Sequence, residues 1–435
     1  KEGIGQRLNG VKRLNDELKK KIDMINRGEV PKGYKKTKVG IIPEDWEVKK
    51  LGELGEFFRG KGIAKSQKRD EGIGCITYGE IYTNYNFIVK KFKSYIDKKA
   101  AQNSTAIKKN DILFAGSGET LEEIGKCIAY LGEEEAYAGG DIIIFRPYDI
   151  DGEVLGYLLN YDIVNRQKYK LGQGYSVVHI YAKELETLLI PNFRKSEQEK
   201  IAQILSTWNK AIELKEKLIE EKKKQKRGLM QKISTGKIRL PGFNGEWKKV
   251  KLKNTGVIVT GTTPSTKIKE YYENGVYPWV TPTDITEKKY ISKTERYLTY
   301  KGLKVGRFLP AGSLLVTCIA SIGKNAILTT DGSCNQQINA ILPSKNHSNE
   351  FLYYLISYRV DYIKSYAGTS ATQIINKSTF ENLKFFIPSL PEQKAIAKVL
   401  STADREIDLL TQELEQLKLQ KKGLMQLLLT GIVRV

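Results

Sequence analysis

Residues 226–240 read KRGLMQKISTGKIRL, and residues 421–435 read KKGLMQLLLTGIVRV. Sliding the chain against itself carries this match upstream at one constant offset. Glu197-Gln198 meets Glu392-Gln393, Ile201-Ala202 meets Ile396-Ala397, and Leu205-Ser206-Thr207 meets Leu400-Ser401-Thr402. Over the gapless block roughly 20 of 44 positions are identical. Shared Lys and Leu content alone does not produce Gly-Leu-Met-Gln followed by Thr-Gly twice. One supersecondary unit is being used two times.

Both copies carry helical periodicity. In the second, Ile407, Leu410, Leu414, Leu417, Leu424 and Leu428 fall three and four apart, with Lys421 in the one polar gap. That spacing is a coiled-coil seam. In the first, Ile201, Leu205, Ile212 and Ile219 share a stripe. Ser196-Glu197 and Pro391-Glu392 are helix-start signals, and Thr-Gly closes each helix where glycine tolerates a left-handed cap. About 35 residues at a rise of about 1.5 Å predict a rod of roughly 50 Å. Two such stripes in one chain predict an antiparallel pair. The competing reading, two unrelated surface helices, leaves the matched seams unexplained.

The segments between the helices echo each other more faintly. Trp46, Leu51 and Gly55 align with Trp247, Leu252 and Gly256, and Ile124-Gly-Lys aligns with Ile322-Gly-Lys. Short runs rich in Tyr, Ile, Val, Thr and Gly predict strands and turns. The expected fold is α+β with an internal pseudo-twofold repeat. A helical arm occupies residues 1–33, and β-rich domains occupy 34–195 and 237–390. Long helices at 196–236 and 391–435 separate and connect them as an antiparallel coiled coil.

The formal net charge is +22, which points to a polyanionic partner, nucleic acid first. The competing reading is a Lys-rich solvated surface. Cys75, Cys127, Cys318 and Cys334 are scattered, and His179 and His347 are the two histidines, so no zinc spacing exists and buried reduced thiols are expected. The apolar runs near Leu314–Ile322 and Leu427–Val433 are too short to span a bilayer, no signal peptide is seen, and a cytoplasmic protein is expected. Glu47-Val-Lys49 has Asp45 too close for a nuclease hairpin. The Gly-Ser-Gly at 116–118 lacks phosphate-loop spacing, and no Asn/Asp-Pro-Pro-aromatic motif occurs. Catalysis by this chain is not expected.

The Glu-Gln-x-x-Ile-Ala-x-x-Leu helix start, the Gly-Leu-Met-Gln helix end and the lead-in Val39-Gly-Ile-Ile-Pro-Glu-Asp-Trp-Glu-Val48 resemble the specificity subunits of type I restriction–modification systems. The resemblance covers about residues 34–435. It implies that each β-rich domain is a target recognition domain reading one half of a split sequence in double-stranded DNA. It implies that the helices act as spacer and as docking platform for two methyltransferase subunits, with motor-nuclease subunits joining the complex. S-adenosylmethionine, ATP and Mg then serve those partners, and this chain holds no cofactor. A rod of roughly 50 Å at about 3.4 Å per base pair sets two reading heads no more than about 15 base pairs apart. A coiled-coil adaptor without DNA reading, and a specificity subunit of a methylation-only complex, are the rival readings.

Candidate reading residues follow from donor and acceptor chemistry on loops. Arg59, Lys61 and Lys65 form a basic loop in the first domain, and Thr262, Thr263, Ser265 and Lys267 form its hydroxyl-rich counterpart, which resembles the family's Gly-x-Thr-Pro-Ser loop. For both loops the competing reading is a plain turn. Tyr78 with Glu80, and Thr283 with Asp284, offer acceptors for cytosine N4, or else they cap turns. Ser117 and Lys126 belong to a second loop of the first domain, and Ser321 and Lys324 fall in the matching part of the second. Gln173, Tyr175, Ser176 and His179 precede the first long helix, and Thr369, Ser370, Thr372 and Gln373 precede the second. For His179 a structural role competes. In the arm, Leu8, Val11, Leu14, Leu18, Ile22 and Ile25 form an amphipathic stripe. It packs on the coiled coil, binds partners, or is foreign to a native chain starting at Met24.

Overall fold

The structure is a computed structural model that describes residues 16–174, 177–368 and 373–435. The chain divides into two compact units. Unit 1 comprises residues 1–214 and 414–435, and unit 2 comprises 215–413. The long helices run from Lys195 to Ile233 and from Leu390 to Leu429. They do not form a body apart from the domains, because each unit takes half of each helix into its own core.

In unit 1 a five-stranded sheet has the order 55–59, 142–147, 112–115, 127–130, 88–89. Its neighbours are antiparallel except the last pair, which is parallel. Successive side chains alternate faces, as the strand period of two requires. Ile112, Phe114, Cys127 and Phe145 bury one face against helix Gly152–Leu158 and the long helices. Leu113, Ala115, Ile128, Tyr130 and Ile144 bury the other. Both faces are covered, so these strands read as continuous apolar runs.

Unit 2 repeats this plan. Its sheet has the order 258–260, 338–341, 314–317, 325–328, 290–291, again ending on a parallel pair. Leu314, Val316 and Ile327 face the helices, and Leu315, Ala326 and Leu328 face the opposite core. A second sheet of four strands in unit 1 has a three-stranded counterpart in unit 2. Each domain also carries helices after its main sheet, at Gly152–Leu158 and Asp162–Leu171 and at Asn349–Tyr358 and Val360–Lys364. The domains are thus β-rich with helices packed on the main sheet, as an α+β fold requires.

The twice-written ending is a latch. Gly236 and Gly431 adopt φ of 71° and 68°, the left-handed cap that glycine tolerates. The turn sends each tail back to the first turn of the other long helix. In unit 1 the Arg434 guanidinium donates Nε to Glu197 Oε1 at 2.6 Å and Nη2 to Glu197 Oε2 at 2.9 Å. In unit 2 Arg239 donates Nε and Nη2 to Glu392 at 2.7 and 2.8 Å. Glu197 and Glu392 are buried, so the paired, forked geometry is what makes their burial tolerable. The neighbouring glutamines complete the clasp. Gln198 Nε2 donates to Phe193 O while its Oε1 accepts from Asp151 N, and Gln393 does the same with Pro388 O and Ser348 N. Arg434 and Arg239 also lie over Trp46 and Trp247. The copies differ at the indole, where Trp46 Nε1 donates to Glu197 and Trp247 Nε1 is buried without a partner among the described residues, and at the outer side of the guanidinium, where Arg434 reaches Asp45 and Arg239 reaches Gly245 O.

The helix pairing is antiparallel within each unit. In unit 2 Lys215 pairs with Glu413, Lys222 with Glu406 and Lys226 with Asp404. In unit 1 Lys421 Nζ donates to Asn209 Oδ1. Lys421, which the seam left as its polar gap, is buried with its ammonium 4.3 Å from the Phe87 ring centre. Residues 16–26 of the arm are helical, and Lys21 donates to Tyr34 Oη and to Ile432 O. The described part of the arm therefore packs on the end of the second long helix.

All four cysteines are buried and free. Among the described residues no helix is long and apolar enough to cross a membrane, and no His/Cys/Asp/Glu group could hold a metal ion.

Candidate nucleic-acid interface

Four loop segments meet at one end of each unit, and the same backbone hydrogen bonds join them twice. In unit 1 Gly60 N donates to Ile142 O, Gly116 N to Asp141 O, and Ile180 N to Gly116 O. In unit 2 Gly261 N donates to Ile338 O, Cys318 N to Gln337 O, and Ile375 N to Cys318 O. The glycine at the foot of each first loop is required by space. A Cβ on Gly60 would lie 2.1 Å from Gly139 O, and one on Gly261 would lie 2.2 Å from Asn335 O. No side chain fits there.

The scaffold is shared, and the side chains it carries are not. Unit 1 presents Arg59 and Lys61, both exposed, beside the turn Gly139-Gly140-Asp141. Unit 2 presents exposed Thr263, Ser265 and Lys267 beside Asn335-Gln336-Gln337. Thr105 Oγ1 donates to Arg59 O in unit 1, and Arg307 Nε donates to Thr260 O in the matching place in unit 2. The next residue is Ala106 in one and Phe308, half exposed, in the other.

Most sequence candidates converge on these loop ends. Ser117 and His179 pair across a two-strand ladder, with Ser117 Oγ 3.0 Å from His179 Nδ1. Gln173 is exposed and exchanges backbone hydrogen bonds with His179. Lys65 is exposed on a short turn, and the adjacent Lys68 joins that turn to Thr77 and Glu80, next to exposed Tyr78. In unit 2 Gln373 O accepts from Ala320 N, bringing its loop to Ser321, while Thr283 and Lys324 are exposed. Tyr175, Ser176, Thr369, Ser370 and Thr372 lie outside the described residues.

Several candidates are spent inside the fold. Glu80 is buried, and its carboxylate accepts from Thr77 N, Thr77 Oγ1 and Ser94 Oγ and pairs with Lys68. Burial pushes its pKa up, and these hydrogen bonds more than offset that, leaving it below the usual value. Glu80 is a helix cap and has no oxygen to offer a base edge. Asp284 is its counterpart, accepting from Thr281 N, Thr281 Oγ1 and Glu295 N. Ser117 turns inward at 5% exposure. Lys126 donates to Tyr82 O, and burial lowers its pKa. Thr262 Oγ1 is buried and has no partner among the described residues. The reading-type side chains that sequence reasoning passed over are Gln336 and Arg307, because neither has a like residue at the matching position of unit 1.

A family model described as the type I restriction modification DNA specificity domain matches residues 43–223 and again 244–419. The chain belongs to this family. A Methanocaldococcus jannaschii protein named as the MjaX specificity subunit of a type I restriction enzyme is 30% identical over 420 residues, covering 92% of this chain and 97% of its own length. The MjaVIII specificity subunit of the same organism is 28% identical, covering 91% of this chain and 94% of its own length. The solved S subunit from M. genitalium has the same fold, with a TM-score of 0.57 at 17% identity over 88% of this chain and 96% of that one. A chain from a structure of type I restriction–modification complex assembly gives 0.59 at 16% identity, covering 90% and 99%. Membership in the specificity family implies DNA target recognition, and the two matched stretches fall on the two copies of the loop scaffold.

Proposed function

We propose that this chain is the DNA-reading subunit of a type I restriction–modification complex, with each unit reading one half of a bipartite target. The observation that carries this is one loop scaffold built twice with different exposed side chains. A shared backbone gives the same approach to DNA, and different side chains give different half-sites. The repeated helix halves offer two equivalent surfaces, which suits two identical methyltransferase subunits. Motor-nuclease subunits join through that complex. The chain itself carries no cofactor and catalyses nothing; S-adenosylmethionine, ATP and Mg are used by its partners in the cytoplasm.

The test is a methylation map. The chain is co-expressed with its methyltransferase partner in a host lacking such marks, and the DNA is sequenced for modified adenines. A split motif with a fixed unread spacer, lost when this chain is omitted, is the expected result. A soluble complex that writes no motif would favour the adaptor reading. Salt separates the two as well. DNA reading predicts that affinity falls by about 0.9 log units per log unit of salt for each phosphate neutralised. A salt-insensitive association belongs to an adaptor.

A further inference from the structure

Gln336 sits at the tip of the turn that abuts the hydroxyl-rich loop of unit 2, and its side chain is exposed. Its amide oxygen is engaged by a neighbouring hydroxyl. Thr263 Oγ1 donates to Gln336 Oε1 at 2.5 Å. Thr263 is itself fixed at the backbone, because Thr262 N donates to Cys334 O and Trp279 Nε1 donates to Thr262 O. The turn is braced from the other side. Asn335, at 9% exposure, accepts from Gln337 N and donates to Gln337 Oε1. An exposed amide on a braced turn, held in one orientation by a hydroxyl, has no evident use inside the fold. At the matching place unit 1 has Gly140, which carries no side chain.

We infer that Gln336 reads an adenine in the half-site of unit 2, with Thr263 as its positioning residue. This rests on the DNA-reading function proposed above. With Oε1 held by the threonine hydroxyl, Nε2 points its hydrogens outward as donors. The second lone pair of Oε1 stays open as an acceptor. Donor and acceptor side by side match N7 and the N6 amino group on the major-groove edge of adenine, the pairing glutamine makes best. Guanine offers two acceptors at that edge, so it leaves Oε1 facing another acceptor and is rejected. Arg307, anchored on Thr260 O at the foot of the hydroxyl-rich loop, is exposed and supplies positive charge for a phosphate of the DNA.

The experiment is the methylation map repeated with Gln336→Ala, Gln336→Glu, Gln336→Asn and Thr263→Val, each co-expressed with the methyltransferase partner. The wild type is expected to require adenine at one position of one half-site. In Gln336→Ala that position alone becomes degenerate, the other half-site is untouched, and binding to the cognate site falls by about tenfold to a hundredfold. Gln336→Glu, which only accepts, moves the preference at that position toward the cytosine N4 donor. Gln336→Asn keeps the amide but shortens its reach, and it relaxes the same position, so the conclusion survives an alanine variant that misfolds. Thr263→Val relaxes it in part. An unchanged motif in Gln336→Ala and Gln336→Asn overturns the proposal. So does a uniform loss across all positions with a shallower salt slope, which marks a phosphate contact. A wild-type map without a split motif overturns the DNA-reading function itself, and this assignment with it.

Discussion

Arg434 grips Glu197 and also reaches Asp45, whose two oxygens accept from Nη1 and Nη2 at 2.8 and 2.9 Å. The two carboxylates differ in burial, so their losses differ. Arg434→Met leaves Glu197 buried and unpaired, and the chain is expected to lose about 2–4 kcal/mol in a urea titration. Asp45→Asn removes only the exposed half of the fork and is expected to cost less than about 1 kcal/mol. The hydrogen bond from Arg434 lowers the Asp45 pKa, so this contribution is present at neutral pH and fades as pH falls through the lowered value. Lys421 runs the other way. Burial pushes its pKa down from 10.5 to about 8, so between those values the unfolded chain binds more protons. Stability from this group therefore rises as pH climbs through that window. Relative to Lys421→Met, the wild type is expected to gain about 2 kcal/mol between about pH 8 and 10, read by denaturation at each pH. The roles of these residues were only half legible. Glu197, Gln198 and Arg434 stand out as repeated letters, but that they clasp one another, far apart in the chain, is visible only once the turn at Gly431 is seen. Glu80 and Asp284 carried both a capping pattern and an acceptor, and the cap won because a buried carboxylate takes the nearest donors.

The long helices were the most legible elements, because a seam of leucines at three and four is a local signal. Their partners were not. Each unit receives both helices in a socket, and the two sockets are chemically different. In unit 1 Asn209 donates to Tyr157 Oη and accepts from Lys421, and Phe87 covers the ammonium. In unit 2 the matching positions hold Asp404, Tyr354, Lys226 and Lys289. Tyr354 Oη donates to Asp404 Oδ2 at 2.5 Å, Lys226 pairs with Asp404, and buried Lys289 pairs with Glu350 and donates to Ser401 Oγ. Unit 2 has exchanged a neutral amide and a ring for an additional carboxylate and ammonium. Asp404→Asn leaves two cations facing Glu350 alone, and a loss of about 2–4 kcal/mol is expected. Asn209→Asp gives Lys421 the counterion it lacks, with a gain of about 1 kcal/mol expected at pH 7. It should also weaken the alkaline gain described for Lys421, because a carboxylate raises the lysine pKa. Equal losses from both substitutions, in matched urea titrations, would mean that the sockets are interchangeable. The strand order within each sheet was illegible for a different reason. Strands buried on both faces lose the alternation that marks an edge, and their pairing partners lie far away in sequence.

At the scale of the whole chain the repeat separates what must stay from what can vary. The latch and the sockets tie each domain to helix halves that are near copies, whereas the loop ends differ residue by residue. Exchanging residues 41–195 for the first domain of another family member should therefore change one half-site and leave the other intact. The boundaries constrain how this can succeed. Asp45, Trp46, Asp151 and Phe193 travel with the graft, while Glu197, Gln198 and Arg434 remain with the host. A donor with a tryptophan at the position of Trp46 keeps the ring that stacks on Phe193 at 4.2 Å and the indole that donates to Glu197. A donor lacking it leaves Glu197 short of a donor in a buried site, and its chimera is expected to melt several degrees lower, in line with a loss of about 1–2 kcal/mol. Both chimeras, if soluble, should still write a split motif with one new half and the original spacer. A map in which both halves change would mean that the units do not read independently, because altering loops in one would then have reached bases assigned to the other.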